Sequence, residues 1–268
     1  MTEPRIVVVP DTAALAAEAA ERIVTALDRA IVTNGRAHWA TTGGSTPVGI
    51  YRRLVAPPLR DAVDWANVHV WWGDDRFVPR DHPLSNVKAF DDVMLDVGDM
   101  EEGTAGGPGR GVPIRADHVH PFPTGEAIGN GRGAAWCATT LADELRAADL
   151  PAVDGWPAFD MLLLGVGADG HLLSVFPGSS ALDSAELGLA IPAPTHIEPH
   201  VERVTLNPAI IAAARSVLMV VAGGDKAEAM ATVLGPEVDP RRWPAQLARL
   251  PGATWILDEA AAGRLPHR

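Results

Sequence analysis

The chain of 268 residues contains one cysteine, Cys137. A lone thiol excludes an intrachain disulfide and any cysteine-based metal cluster. Cations are also scarce: 22 Lys and Arg stand against 34 Asp and Glu, for a formal net charge of −12. That balance argues against a nucleic-acid partner, because phosphate backbones demand basic surface. It also means that an anionic ligand needs a local positive site within an unfavourable overall field. No apolar run approaches the roughly 20 residues of a membrane span, so no membrane partner is expected. The opening MTEPRIVVVP lacks a basic start followed by a signal-type apolar core, and the expected location is cytoplasmic. No H-E-x-x-H occurs and the nine histidines are scattered, which leaves no metal reading. The absence of a G-x-S-x-G elbow disfavours a Ser-His-Asp hydrolase.

What is present is ample core material, 47% hydrophobic residues, in apolar runs punctuated by glycine. Arg5 to Val9 reads as a strand. A helix follows, capped by Asp11 or Thr12, striped by Leu15, Ala19, Ile23, Leu27 and Ile31, and closed by Gly35. Further strands are expected over 37–42, 67–73, 160–165, 217–222 and 253–257, with a helix PVGIYRRLV that Thr46 caps and Pro47 starts. Strands alternating with helical stretches predict an α/β protein with a layered, mainly parallel sheet. The glycine-dense 98–113 and the proline-rich 188–202 read as long loops. Neither is a clean linker and no internal repeat is visible, so residues 1–268 are expected to form one domain.

Four strand ends carry chemistry: Gly43-Gly44-Ser45-Thr46, Asp74-Asp75-Arg76, Asp169-Gly170-His171 and Gly224-Asp225-Lys226. Ligands of open parallel sheets bind outside the carboxyl ends of the strands, so these four turns are expected to converge. Gly43 to Thr46 supplies backbone N–H groups at a helix N-terminus and two hydroxyls, the makings of a phosphate site, or else a plain strand-to-helix turn. Arg76 and Lys226 offer compensating cations. The alternative for each is an ion pair, Arg76 with Asp74 or Asp75, and Lys226 with Asp225 or Glu228. His171 suits a base that takes a proton from water, oriented by Asp169 or Asp74. The bland alternative is a histidine satisfied by backbone groups at a buried turn. Gly165, Gly167 and Gly170 spell G-x-G-x-x-G, yet Pro177-Gly178 stops any long helix after them, and no strand ending in an acidic residue follows; the dinucleotide reading fails.

Six segments together resemble the 6-phosphogluconolactonase family: TTGGSTP (41–47), WWGDDRFVP (71–79), HPLSN (82–86), LLLGVGADGHLLSVFPGS (162–179), ERVTLNPAII (202–211) and VAGGDKAEAM (221–230). They occur in the family's order over nearly the whole chain. The sister glucosamine-6-phosphate deaminase/isomerase family has an acidic residue after the histidine, where this chain reads Ser174-Val175-Phe176-Pro177-Gly178. Asp74-Asp75-Arg76 stands where Asp-Glu-Arg is common, and 98–113 looks like an insertion.

The resemblance implies a Rossmann-like three-layer α/β/α sandwich that hydrolyses 6-phospho-D-glucono-1,5-lactone in the pentose phosphate pathway. No metal or organic cofactor is implied. The expected partner is the small-molecule sugar-phosphate lactone, and the expected state is a monomer or weak homodimer. His171 would be the base, with Asp169 and Asp74 holding the imidazole or the water. Gly43, Gly44, Ser45, Thr46, Arg76 and Lys226 would hold the phosphate. Ser85, Asn86 and Arg203 are further candidates for sugar or phosphate contacts, with Arg203 equally readable as a structural ion pair. Backbone N–H groups of the 165–171 turn, or Arg76, are the candidate oxyanion donors.

Overall fold

Alternation of β-branched runs with capped amphipathic stretches builds the frame. In the computed structural model, which describes residues 3–95 and 111–266, the run Arg5–Val9 forms β1. The Asp11 side chain accepts from the Ala14 N–H at 2.8 Å and starts α1 (Thr12–Asn34). Gly35 ends it in the left-handed region at φ 78°, and its N–H donates to the Ile31 carbonyl at 2.8 Å. There follow β2 (Ala37–Thr41), α2 (Ser45–Leu54), β3 (Val68–Trp72), β4 (Asp74–Arg76), α3 (Asn86–Met94), β5 (Val119–His120), α4 (Thr124–Gly129) and α5 (Ala134–Ala147). A hairpin of β6 (Ala152–Val153) and β7 (Trp156–Pro157) leads to β8 (Met161–Leu164), β9 (Gly188–Ile191), β10 (Arg203–Leu206) and α6 (Ile210–Ala213). The chain ends through β11 (Val217–Val221), α7 (Ala227–Val233), β12 (Thr254–Asp258) and α8 (Glu259–Ala262).

Seven strands form one sheet in the order β1-β12-β11-β8-β2-β3-β5, and every neighbouring pair is parallel. The central strands β2, β8 and β11 are buried at every residue, as expected of a sheet covered on both faces. Helices flank it in a three-layer α/β/α sandwich. The buried stripe of α1 (Leu15, Ala19, Ile23, Leu27) lies along the sheet, and α2 packs between α1 and α3. Trp39, Tyr51, Trp72 and Phe90 meet edge-to-face in the core, with ring centroids 5.2–6.1 Å apart.

The expected strands and first helix are in place to within one or two residues. Two expectations are corrected. The cap of α2 is Gly44 (φ 102°), not Thr46, because a left-handed residue is what turns the chain from β2 into the helix; no side chain caps this end. Residues 188–202 are not all loop, since Gly188–Ile191 is β9. No helix at all opens between Gly165 and Ser179. Of the glycine-dense 98–113, residues 98–110 lie outside the described residues; at its far end Val112 is buried and bonds the Met94 carbonyl at 2.9 Å.

A second, antiparallel sheet, β4-β10-β9, was not foreseen. It pairs Arg76 with Arg203 and Asp74 with Thr205. At the β2-β3-β5 side of the main sheet, His38, His69 and His120 form a ring ladder with Trp71 and His118. His69 stacks on His118 at 3.8 Å and Trp71 on His120 at 3.9 Å. His69 Nδ1 and His120 Nε2 are 3.0 Å apart, and His120 Nδ1 meets the Glu144 carboxylate at 2.5 Å.

Candidate active site

The chain winds outward from β2 through β3 to β5, then returns beside β2 and winds the other way from β8 through β11 to β12. The order therefore reverses between β2 and β8, and a crevice opens there at the carboxyl ends. The four chemically marked turns follow β2, β3, β8 and β11, which are contiguous in the sheet order β11-β8-β2-β3. The fold thus brings them to one rim.

The turn after β8 is shaped around an imidazole. A Cβ on Gly167 would lie 2.0 Å from His171 Nδ1 and 2.7 Å from Asp169 Oδ1, so only glycine admits the ring here. Gly170 has φ 79°, and its open face rests on the Trp243 indole. His171 Nδ1 lies 2.5 Å from Asp169 Oδ1, which also accepts the His171 N–H at 3.1 Å. The other carboxylate oxygen, Oδ2, lies 2.8 Å from His196 Nε2. Burial would push the Asp169 carboxyl up, but the hydrogen bond and charge of His171, with the hydrogen bond of His196, outweigh it and hold it well below the usual carboxylate range. An ionised carboxylate only accepts, so His171 Nδ1 and His196 Nε2 are both donors. That fixes the His171 tautomer and leaves its Nε2 lone pair for chemistry. Phe176 lies between the two rings, 4.7 Å from His171 and 5.7 Å from His196.

The turn after β3 is organised by two buried carboxylates with different partners. Asp75 accepts from the Arg76 N–H (2.7 Å), the Asn86 N–H (2.7 Å) and the Ser85 hydroxyl (2.9 Å), tying β4 to the start of α3. Burial pushes it up to about 7 despite those bonds. Asp74 accepts from the Ser174 hydroxyl at 2.6 Å and from Asn86 Nδ2 at 3.3 Å. Of the two carboxylates proposed to orient His171, the one that bonds it is Asp169. Asn86 also fills the space beside Gly43, where a Cβ would lie 2.0 Å from its Oδ1, an atom that is buried without a partner.

The cations differ from their expected ion pairs. Arg76 pairs with neither Asp74 nor Asp75; its Nη1 donates to the Leu84 carbonyl at 2.8 Å, and its Nε is buried without a partner. Arg203, opposite it on β10, is buried and donates to the Val201 and Pro199 carbonyls, with no carboxylate partner among the described residues. Burial first, then the nearby Arg76 charge, disfavours its charged form. Two adjacent guanidiniums without counter-ions suit an anion. Lys226 does make the local pair, at 3.3 Å from Asp225 Oδ2. Gly44 and Ser45 are exposed at the start of α2, whose first N–H groups no side chain caps. Within the 165–171 turn, the N–H groups of Gly167, Gly170 and His171 are engaged by the turn itself.

His196, Ser174 and Phe176 were missed as site residues. His196 and Asp169 are 27 residues apart and meet only through the tertiary fold. His196 and His200 have an H-x-x-x-H spacing that would align two ligands on a helix. Here they sit on a loop, and His200 Nδ1 turns to the Pro194 carbonyl at 2.7 Å. Among the described residues no set of three or more His, Cys, Asp or Glu is arranged to hold a metal ion, and no helix is long and apolar enough to cross a membrane. A cavity of about 550 Å³ lined by Arg22, Arg29, Asp160 and Arg215 lies at the opposite, amino ends of the strands and includes none of these groups.

Residues 10–256 match the family model of glucosamine-6-phosphate isomerases/6-phosphogluconolactonase. The chain is 34% identical to a 6-phosphogluconolactonase of Streptomyces coelicolor, covering 98% of this chain and 95% of that protein. It is 32% identical to one of Mycobacterium tuberculosis, over 97% and 98%. Among solved structures, the 6-phosphogluconolactonase of Trypanosoma brucei superposes with a TM-score of 0.81 at 26% identity, covering 99% of this chain and 100% of that one. A monomeric glucosamine-6-phosphate deaminase superposes with a TM-score of 0.74 at 18% identity over 97% and 99%, a likeness of fold alone.

Proposed function

Since the chain belongs to the glucosamine-6-phosphate isomerase/6-phosphogluconolactonase family, we propose that it is a lactone hydrolase that converts 6-phospho-D-glucono-1,5-lactone to 6-phospho-D-gluconate, with His171 as general base. The observation that carries the choice of hydrolase over isomerase is the chain after the histidine. Residues 172–178 hold no carboxylate, and Ser174 instead gives its hydroxyl to Asp74. The base is therefore an Asp169–His171 pair without a following acid, which suits activation of water.

The lactone phosphate sits on Gly43, Gly44, Ser45 and Thr46 at the start of α2, clamped by Arg76 and Lys226, with Arg203 adding charge behind Arg76. Ser85 and Asn86 support this wall through Asp75 and Asp74. His171 Nε2 takes a proton from a water whose oxygen attacks the lactone carbonyl carbon. The carbon–ring-oxygen bond then breaks, and the imidazolium returns the proton to the ring oxygen, leaving the open-chain acid. Asp169 accepts from Nδ1 throughout and stabilises the imidazolium. With three of the turn's N–H groups already engaged and Arg76 given to the phosphate, the oxyanion falls to the remaining N–H groups of the 165–171 turn. A lactone is an activated ester, so one positioned base is sufficient chemistry.

The test is hydrolysis of freshly generated 6-phosphogluconolactone, corrected for spontaneous opening. His171→Ala is expected to lower kcat at least roughly 10²-fold, the scale of a lost general base. Near-normal turnover would remove His171 from the mechanism, and ammonia release from glucosamine 6-phosphate would move the chain to the isomerase side.

A further inference from the structure

We propose that His196 is a positioning residue for this reaction: it holds Asp169 at the oxygen that His171 does not use and so sets both the orientation of the His171 imidazole and the share of carboxylate charge that faces it. The inference rests on the hydrolase reading for its catalytic consequence, though not for its geometry.

Asp169 is a short side chain on a glycine turn, and nothing in the turn engages its second oxygen. Oδ1 takes the ring and backbone N–H of His171; Oδ2 takes His196 Nε2 at 2.8 Å. Without His196 the carboxylate is held at Oδ1 alone and can pivot about that end, and the imidazole it steers can tilt with it. The second contact is braced by packing, since Phe176 meets the His196 ring edge-on at 90° and touches His171 on its other flank. The side chains of Asp169 and His171 are 17% and 21% exposed, whereas that of His196 is 49% exposed. His196 is thus the outer member of the trio and closes the carboxylate off from water.

A second consequence is electrostatic. A carboxylate shared between two imidazoles offers each less than a full counter-charge. His196 therefore takes a share of the Asp169 charge that would otherwise face His171 alone. The charged groups around His196 are Asp169 and His171 on the turn, and Arg203, whose guanidinium lies 5.9 Å from the Phe176 ring. Its own loop carries Glu198, His200 and Glu202, all exposed. That loop runs directly into β10, so one segment delivers both His196 and Arg203 to the site.

The test compares the wild-type protein with His196→Ala and His196→Gln, whose amide can still donate to Oδ2. Two readings are taken: kcat and KM against pH on the lactone, and the NMR titration of the His171 ring. His196→Ala is expected to lower kcat about tenfold, the lower end of what losing an outer hydrogen-bond partner of a histidine costs, with KM little changed. The acid limb of kcat/KM and the His171 titration should both move to higher pH. His196→Gln should restore most of kcat and return both midpoints. Unmoved midpoints in His196→Ala overturn the proposal, as does an equal loss in both variants without a shift, which would mark a merely structural loop residue. A wild-type protein that does not turn over the lactone brings down the hydrolase reading instead, and the ring titration alone then decides the role of His196.

Discussion

Gly167 is where the identity of one residue decides whether the base can exist. A methyl group there would overlap the His171 ring, which also packs against Phe176 with ring centroids 4.7 Å apart. Gly167→Ala is therefore expected to cost about 10²-fold in kcat, the price of a roughly 1 Å misplacement. Thermal melting should change less than kcat, since the clash falls on the partly exposed His171 ring and not on the buried strand β8. Steady-state kinetics beside a melting curve checks this. Asp75 is the opposite kind of residue, wholly structural although it adjoins Arg76. Asp75→Ala orphans three buried donors and is expected to cost about 3 kcal/mol, at roughly 1 kcal/mol or more each. Asp75→Asn keeps two of the three: its amide oxygen takes the two N–H groups, while its NH₂ reverses the third bond by donating to Ser85 Oγ. Chemical denaturation at neutral pH should show the first loss and not the second. Arg203 is buried without a carboxylate, so Arg203→Met is expected to raise KM for the phosphorylated lactone by about tenfold while leaving the preference of His171 chemistry for lactones intact. A change in kcat alone would place Arg203 outside the anion site.

Elements that bury both faces announced themselves, and those that do not stayed hidden. β8 and β11 are continuous apolar runs that lead into glycines, and β2, though it carries His38 and Thr41, is buried at every residue and leads into Gly43-Gly44, so the chemistry at their ends could be read directly. The small sheet could not. β4 is only Asp74-Asp75-Arg76, polar throughout, and its partner β10 lies more than a hundred residues later, so neither period nor propensity marks it. Yet that sheet is what sets Arg203 against Arg76 and delivers His196. The same limit explains the site. His171, Asp169 and the α2 loop were legible because each is local to a strand end, whereas the second partner of Asp169 comes from a proline-rich loop whose sequence carries no positional signal. The histidine ladder belongs to this scale too. His38 and His69 are register partners on β2 and β3, and burial, then neighbouring histidines, push them down to about 3 and about 4. Their native state refuses protons that the unfolded chain accepts below about 6.5.

For the whole molecule these groups fix the sign of stability against pH. Between about pH 6.5 and 4, unfolding lets His38 and His69 take up two protons and makes Asp75 give up one, since its native value is about 7 against 3.8 unfolded. Net uptake on unfolding means that stability falls as pH drops through that window. Below it Asp169, held low in the native state, adds a further loss. Melting temperatures measured across pH 4–7 should therefore decline toward acid, more gently in His69→Gln and more steeply in Asp75→Asn; a rise toward acid in the wild-type protein would contradict the assignment. The tryptophans distribute themselves with similar consequence. Of eight indoles, Trp39, Trp65, Trp71, Trp72 and Trp255 are fully buried. Trp243 is partly exposed and lies against Gly170, the neighbour of His171. The protein thus carries an intrinsic optical gauge of the candidate site: of the three partly exposed indoles, Trp136, Trp156 and Trp243, it is Trp243 that abuts the 165–171 turn, so a ligand closing on His171 is expected to quench or shift its emission while the buried indoles stay steady.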